Sequence, residues 1–365
     1  MGRPLVAAVR TKPETVLDDY ARLLDLARYA QHLDRGAEVA LKINISWHHW
    51  YPACSTTPWQ LEGLVKKLLA DGWPKETIYG AHNRTVVVSA RRGEIANKHK
   101  PVLDQYGIRN IHLYEPGEEW ITYHPKGKML ALPEIYPDGI QIPKRLLGSN
   151  IIHLPTAKTH VFTVMTGAMK NAFGGLLHER RHWTHSVIHE TLVDLLTIQK
   201  EIHPGIFAVT DATFAGDGPG PRCMVPHEKD LILAGADQVA VDAILAKMMG
   251  FDPMSLDFIR LAHEAGLGVG DPRDIEVVGD DISAENWGFT REQNTFASRG
   301  QKMIYWGPLK PLEKFLLRTA IAPWSYLASI LYHDVYWYPC VGRRRVRAAL
   351  DTKWGRLFAS YPSRL

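Results

Sequence analysis

The chain has 365 residues, 45% hydrophobic and 22% charged, an ordinary globular composition with room for one large or two average domains. Its 43 Lys and Arg against 39 Asp and Glu leave a formal net charge of +4, which gives no reason to expect nucleic acid as a partner. Cys54, Cys223 and Cys340 lie far apart without a C-x-x-C pair, so neither an iron–sulfur cluster, a Cys-built zinc site nor a disulfide framework is expected.

Residues 14–33 read as a helix, and "EVALKINIS" at 38–46 as a β-branched strand with Lys42 and Asn44 on one face, since strand side chains alternate. The next helix is marked at both ends. Thr57 stands at the cap and Pro58 in the first turn, Leu61, Leu64, Val65, Leu68 and Leu69 recur at helical spacing, and Asp71-Gly72 stops it. Strands follow at 77–82 and 110–115, separated by a helix at 88–106. Residues 116–148, rich in Gly, Pro and Tyr, read as an inserted β-rich segment and a candidate lid. Strands at 149–155, 206–211, 230–235 and 274–279 then alternate with helices at 185–202, 236–250 and 255–265.

This alternation predicts an α/β fold over 1–290, a mostly parallel sheet with helices on both faces. Residues 291–365 differ in kind and predict a helical, aromatic-rich C-terminal tail. Its Trp and Tyr residues, with Arg343, Arg344, Arg345 and Arg347, suit a cap on the domain, a homodimer contact or an anionic membrane surface. No secretory h-region and no run of about 18 apolar residues occurs, so a cytoplasmic protein, soluble or peripheral to a membrane, is expected.

In open α/β sheets ligands bind outside the carboxyl ends of the strands. Four loops there carry polar residues: "WHHWYPACSTTP" with His48, His49, Thr56 and Thr57; Asn83-Arg84; "AKTHVFT"; and "GDGPGP" following Asp211. "PTAKTHVFTVMTGAMKNAFGG" at 155–175 sets Lys158 and Lys170 in an apolar stretch, where a buried ammonium needs a partner or loses its proton. Joined by Lys42, Arg181 and a helix N-terminus between the two lysines, they suit a small anionic ligand. His160 is the candidate general acid or base beside Lys158 and Lys170, while Thr163 and Thr166 either cap the helix or bind substrate oxygens. Gly216, Gly218 and Gly220, stiffened by Pro219 and Pro221, let the backbone approach a ligand or make a structural turn; no P-loop or dinucleotide fingerprint is present. Histidines crowd around Arg180 and Arg181, and His185 and His189 at i, i+4, with Glu190 and Asp211, are candidate ligands for a divalent metal. Asp237 suits a helix cap, and Asp242 stands on an otherwise apolar helix face.

The blocks "KINIS", "TTP", "PTAKTHVFTVMTGAMKNAFGG", "IHETLVDL", "VTDATFAGDGPGP" and "LAGADQVAVDAILAKMMGFDP", in this order over roughly residues 37–280, resemble the domain of unknown function 362 family. The matching motif positions include Lys42, Asn44, Thr57, Lys158, Thr159, His160, Thr163, Lys170, Asn171, His189, Glu190, Asp211, Gly218, Asp237 and Asp242. Members often carry an appended iron–sulfur module, which this chain lacks, so electron transfer through one is not carried over. The "WHHW" loop and the aromatic tail look unlike the family core.

The resemblance implies an α/β domain and, with the cations, makes Asn44, Thr57, Thr159 and Asn171 candidate substrate contacts. Two functions follow as expectations. One is an enzyme using acid–base or redox chemistry next to a carbonyl on a small carboxylate or phosphate. The other is a non-catalytic anion-binding or membrane-associated protein. A short similarity of "IYGAHNR" at 78–84 to the nickel-pincer lactate racemases implies isomerase or oxidoreductase chemistry on a small organic acid as one form of the first.

Overall fold

A computed structural model describes residues 2–319 and 322–363. Its main sheet is built from β1 (Leu5–Arg10), β2 (Val39–Ile43), β3 (Ile78–His82) and β4 (Arg109–His112), all short and almost wholly buried except β4. A separate hairpin, β5 (Trp120–Tyr123) and β6 (Ile140–Pro143), follows. The main sheet resumes with β7 (Asn150–Leu154), β8 (Thr156–His160), β9 (Val164–Thr166), β10 (Ile206–Asp217), β11 (Val225–Gly235) and β12 (Glu276–Gly279). Its order is β12-β1-β11-β10-β7-β2-β3-β4, with β8 beside β10 and β9 beside β8. Pairing is parallel along β10-β7-β2-β3-β4 and between β1 and β12; β11 and β9 run against their neighbours.

Alternation along the strands loads both faces. Val6, Ala8 and Ala40 point into a core shared with helices Ile188–Ile202, Gln238–Met249 and Asp257–Glu264. Ala7, Val9, Val39 and Leu41 point into a second core, shared with helices Val16–Leu26 and Pro58–Ala70. The fold is therefore α/β, with a mostly parallel sheet and helices on both sides. Trp337, Trp354 and Phe358 of the helical C-terminal region join the second core.

Several boundaries differ from the sequence reading for identifiable reasons. The helix expected over 88–106 is two, Ala90–Ala96 and His99–Tyr106, broken at Lys98 in a left-handed conformation. Lys98 turns its ammonium onto the carbonyls of Phe358, Ala359 and Tyr361, capping the last helix. Asp211 does not end a strand; it lies inside the long β10, and the glycine loop is the turn of the β10–β11 hairpin. The segment 116–148 is pinned to helix Ile188–Ile202, where Asp194 accepts from the amides of Leu130, Ala131 and Leu132, and Glu201 from those of Lys126 and Gly127. It contributes no residue to the cleft described next.

Candidate functional site

A cleft of about 210 Å³ opens at the carboxyl ends of β2, β3 and β7. Lys42, Asn44 and Ser46 enter it from β2 and its exit, and His82 and Asn83 from the end of β3. Lys158 enters from β8, Lys170, Asn171 and Gly174 from the short helical turn after β9, and Arg181 and Arg222 from two further segments. Five cationic side chains thus share one small space, and among the described residues no carboxylate lines it.

Local structure explains the convergence. Pro155 interrupts β7 and β8, so the chain steps from pairing along Ile206–Ala208 of β10 to a displaced pairing of Lys158 with Gly216. The helix Ala168–Asn171 starts at Gly167, and the carboxylate of Asp242 accepts from the amides of Ala168 and Met169 at 2.6 and 3.0 Å. That cap is supplied by the apolar helix Gln238–Met249, and neither Thr163 nor Thr166 provides it. Asn171 donates to the carbonyl of Lys42 at 2.8 Å, tying this turn to β2. Gly175 has no side chain because a Cβ there would collide with the Cδ and Cε of Lys42.

The electrostatic consequence is a set of amines short of anionic partners. Lys42 donates to the carbonyl of Ile43 at 2.6 Å, Lys158 to the hydroxyl of Thr156, and Lys170 lies 5.3 Å from the ring centre of Phe173. Burial, reinforced by Arg181, lowers Lys42 to about 7. Burial, reinforced by Lys158 and Arg181, brings Lys170 to about 7, and burial lowers Lys158 to about 8. Nη1 of Arg222 is buried without a hydrogen-bond partner, as is Nε2 of His82. His82 stacks on His112, which bonds Glu94 at 2.9 Å, and burial holds His82 neutral, at about 3.

Other candidate residues serve the scaffold. His160 does not line the cleft: its Nδ1 accepts from the amides of Phe162 and Thr163, shaping the β8–β9 turn, and burial followed by Lys170 holds it well below the usual histidine range. This corrects its place as an acid or base inside the pocket. Thr57 caps helix Pro58–Ala70 in a capping box with Gln60, and Thr163 donates to the carbonyl of Met165. Thr159 donates to the carbonyls of Gly216 and Gly218. Gly218 is left-handed, with φ +124°, and a Cβ on Gly220 would collide with the Thr159 carbonyl, so this loop braces β8 from outside and leads into Pro221 and Arg222, which do line the cleft.

The expected metal set does not assemble. Asp211 is fully buried and saturated, accepting from Tyr20, Thr57 and Trp59 on one oxygen and from the amide and hydroxyl of Thr213 on the other. His185 donates from Nδ1 to the carbonyl of His182 in its own turn and stacks on Tyr305. Among the described residues the grouping of potential ligand atoms within 4.8 Å of one another is instead His48, His49 and Asp334. Sequence reading passed over His82 and Arg222; their signals were a histidine closing a buried strand and an arginine directly after a Gly/Pro loop.

A family model described as "Domain of unknown function (DUF362)" matches residues 39–247, a span that contains every cleft-lining segment named above. The chain is also 28% identical over 124 residues to the "Thylakoid-associated protein sll1697" of Synechocystis sp., a match covering 32% of this chain and 37% of that protein. No helix among the described residues is long and apolar enough to cross a membrane.

Proposed function

We propose that this chain, which belongs to the domain of unknown function 362 family, is an enzyme that binds a small carboxylate- or phosphate-bearing metabolite and moves a proton at the carbon next to its carbonyl. The observation that carries this reading is the cleft lining, where the buried amines of Lys42, Lys158 and Lys170 converge and, among the described residues, no carboxylate faces them. Cations kept unneutralised in a buried space are costly, and an anion offsets that cost. Catalysis, as distinct from binding, needs a proton-transfer group inside the pocket. His160 is outside it, but Lys42 and Lys170, each at about 7, are poised for the task. The neutral amine of one takes the proton from carbon, the C–H electron pair becomes the new carbon–carbon double bond as the carbonyl π pair moves onto oxygen, and the other cations hold the enolate charge until the proton returns.

The test is calorimetric titration of citrate, pyrophosphate and a panel of 2-hydroxy and 2-keto acids into the full chain, with Lys42→Met and Lys170→Met in parallel. Each variant should weaken the tightest ligand by on the order of tenfold, the value of one lost charge-assisted hydrogen bond. For a ligand with an exchangeable C–H, deuterium from solvent should enter that carbon only in the unsubstituted protein. Failure of every multivalent anion to bind would end the proposal, and binding without exchange would leave the non-catalytic anion-binding form.

A second reading rests on a separate observation. Phe296, Phe315, Trp324, Leu327 and Val335 are exposed on the C-terminal helices, and a relative is named as thylakoid-associated. Such a face suits peripheral docking on an anionic bilayer.

A further inference from the structure

We propose that His48, His49 and Asp334 form a binding site for a divalent transition-metal ion of the nitrogen-preferring kind, zinc foremost, independent of the anion cleft. The two histidines stand in the loop that leaves β2, and Asp334 in the π-helical stretch Leu331–Gly342 of the C-terminal region. One ligand atom from each lies within 4.8 Å of the others, so a modest rotation of the rings closes the triangle around an ion.

The surroundings hold these groups as ligands are held. Trp47 donates its indole N–H to one oxygen of Asp334 at 2.6 Å, fixing the carboxylate and leaving the other oxygen 3.6 Å from Nε2 of His48. That separation is too long for a hydrogen bond, and Nδ1 of His48 is buried with no partner. His48 is 9% exposed, and Nε2, the nitrogen that faces Asp334, makes no hydrogen bond and stands open as a ligand atom. His49 is oriented by stacking on Tyr338, with ring centres 4.2 Å apart and planes 7° from parallel.

The donor set selects the ion. Two imidazoles and one carboxylate suit zinc, cobalt, nickel or ferrous iron, whereas calcium and magnesium want oxygen cages. Arg92, Arg222 and Arg343 contribute positive potential nearby, which tempers affinity and favours an anion or hydroxide in the open coordination position. The ion would also tie the C-terminal region to the loop beside the cleft, since its ligands lie at opposite ends of the chain.

The test uses the full chain, stripped with a chelator and titrated with Zn²⁺ by calorimetry, alongside His49→Ala, Asp334→Asn and His185→Ala. One equivalent should bind. His49→Ala and Asp334→Asn should each weaken it by at least the roughly tenfold that losing even a supporting partner costs at a metal, and His185→Ala should not. Visible absorption of the Co²⁺-loaded unsubstituted protein gives a readout that needs no variant to fold: intense bands of a four- or five-coordinate, imidazole-ligated ion support the site. The weak spectrum of a hexa-aquo ion, absence of saturable Zn²⁺ binding, or binding unaltered in either ligand variant overturns it.

Discussion

At the scale of single residues the lysines make the sharpest statement. Lys42 and Lys170 titrate at about 7 and Lys158 at about 8 in the folded chain, against 10.5 for an ordinary lysine. Between roughly pH 7 and 10 the unfolded chain therefore holds more protons than the folded one, and stability of the ligand-free protein rises with pH across that window. Below about pH 7 both states are protonated and the full penalty of the crowded ammonium groups remains. A bound anion reverses the preference, because it favours the charged amines. Anion binding at about pH 8 should draw protons from solution, seen as a binding heat that changes with the ionisation enthalpy of the buffer, and affinity should fall as pH rises from about 6.5 to 9. Lys170→Met should diminish the uptake. Binding with no proton uptake would mean that the amines are already charged and the pocket less buried than described.

At the scale of elements, Asp211 shows what a sequence can and cannot reveal. An acid beside a glycine loop reads as a ligand, but three of its donors come from other elements: Tyr20 from helix Val16–Leu26, Thr57 from the cap of helix Pro58–Ala70, and Trp59 from that helix's first turn. Its role is to fasten two helices to β10, a fact that depends on partners more than a hundred residues away. Asp211→Ala should leave several buried donors unpaired at about 1–3 kcal/mol each, lowering the midpoint of urea unfolding markedly. A shift of under about 1 kcal/mol would remove it from this role. Elements whose signals are local were legible: the capped helix at 58, the buried strands around Lys42 and His82, and Asp237 as the cap of helix Gln238–Met249. The convergence of Lys42, Lys158 and Lys170 was legible too, because carboxyl strand ends in a parallel sheet face the same way. The orientation of His160 was not, since its ring is spent on two amides of its own turn. The pairing of His48 and His49 with Asp334 was equally hidden, because only the tertiary fold brings the C-terminal region back to β2.

At the scale of the whole molecule, the two halves of the C-terminal region behave differently. Its last part is sealed onto the domain: Trp354 is buried and donates to Asp230 at 2.6 Å, Phe358 stacks on Trp50, and Tyr361 donates to Glu62 at 2.6 Å. The part before it turns Phe296, Met303, Leu312, Phe315, Leu327 and Tyr336 outward, with Phe296 86% exposed. The acidic residues between 295 and 347 are Glu313 and Asp334 alone, and both are engaged inward, with Ser186 and Arg318 and with Trp47 respectively. Arg299, Lys310 and Lys314 remain exposed beside the apolar side chains, so the outward face is apolar and positive together. That combination matches an anionic headgroup layer, where each basic residue near the surface is worth about 1 kcal/mol and apolar side chains add their burial. The full chain should sediment with phosphatidylserine-containing vesicles, less so as salt is raised, and scarcely with phosphatidylcholine alone. Phe315→Glu with Leu327→Glu should abolish binding, and Lys310→Glu with Lys314→Glu should weaken it by on the order of tenfold or more, by the same 1 kcal/mol per charge. Neither pair touches the cleft lining, so anion binding in solution should persist in both. Vesicle binding that is indifferent to these substitutions, or equal on neutral lipid, would mean that this face is covered by something other than a membrane.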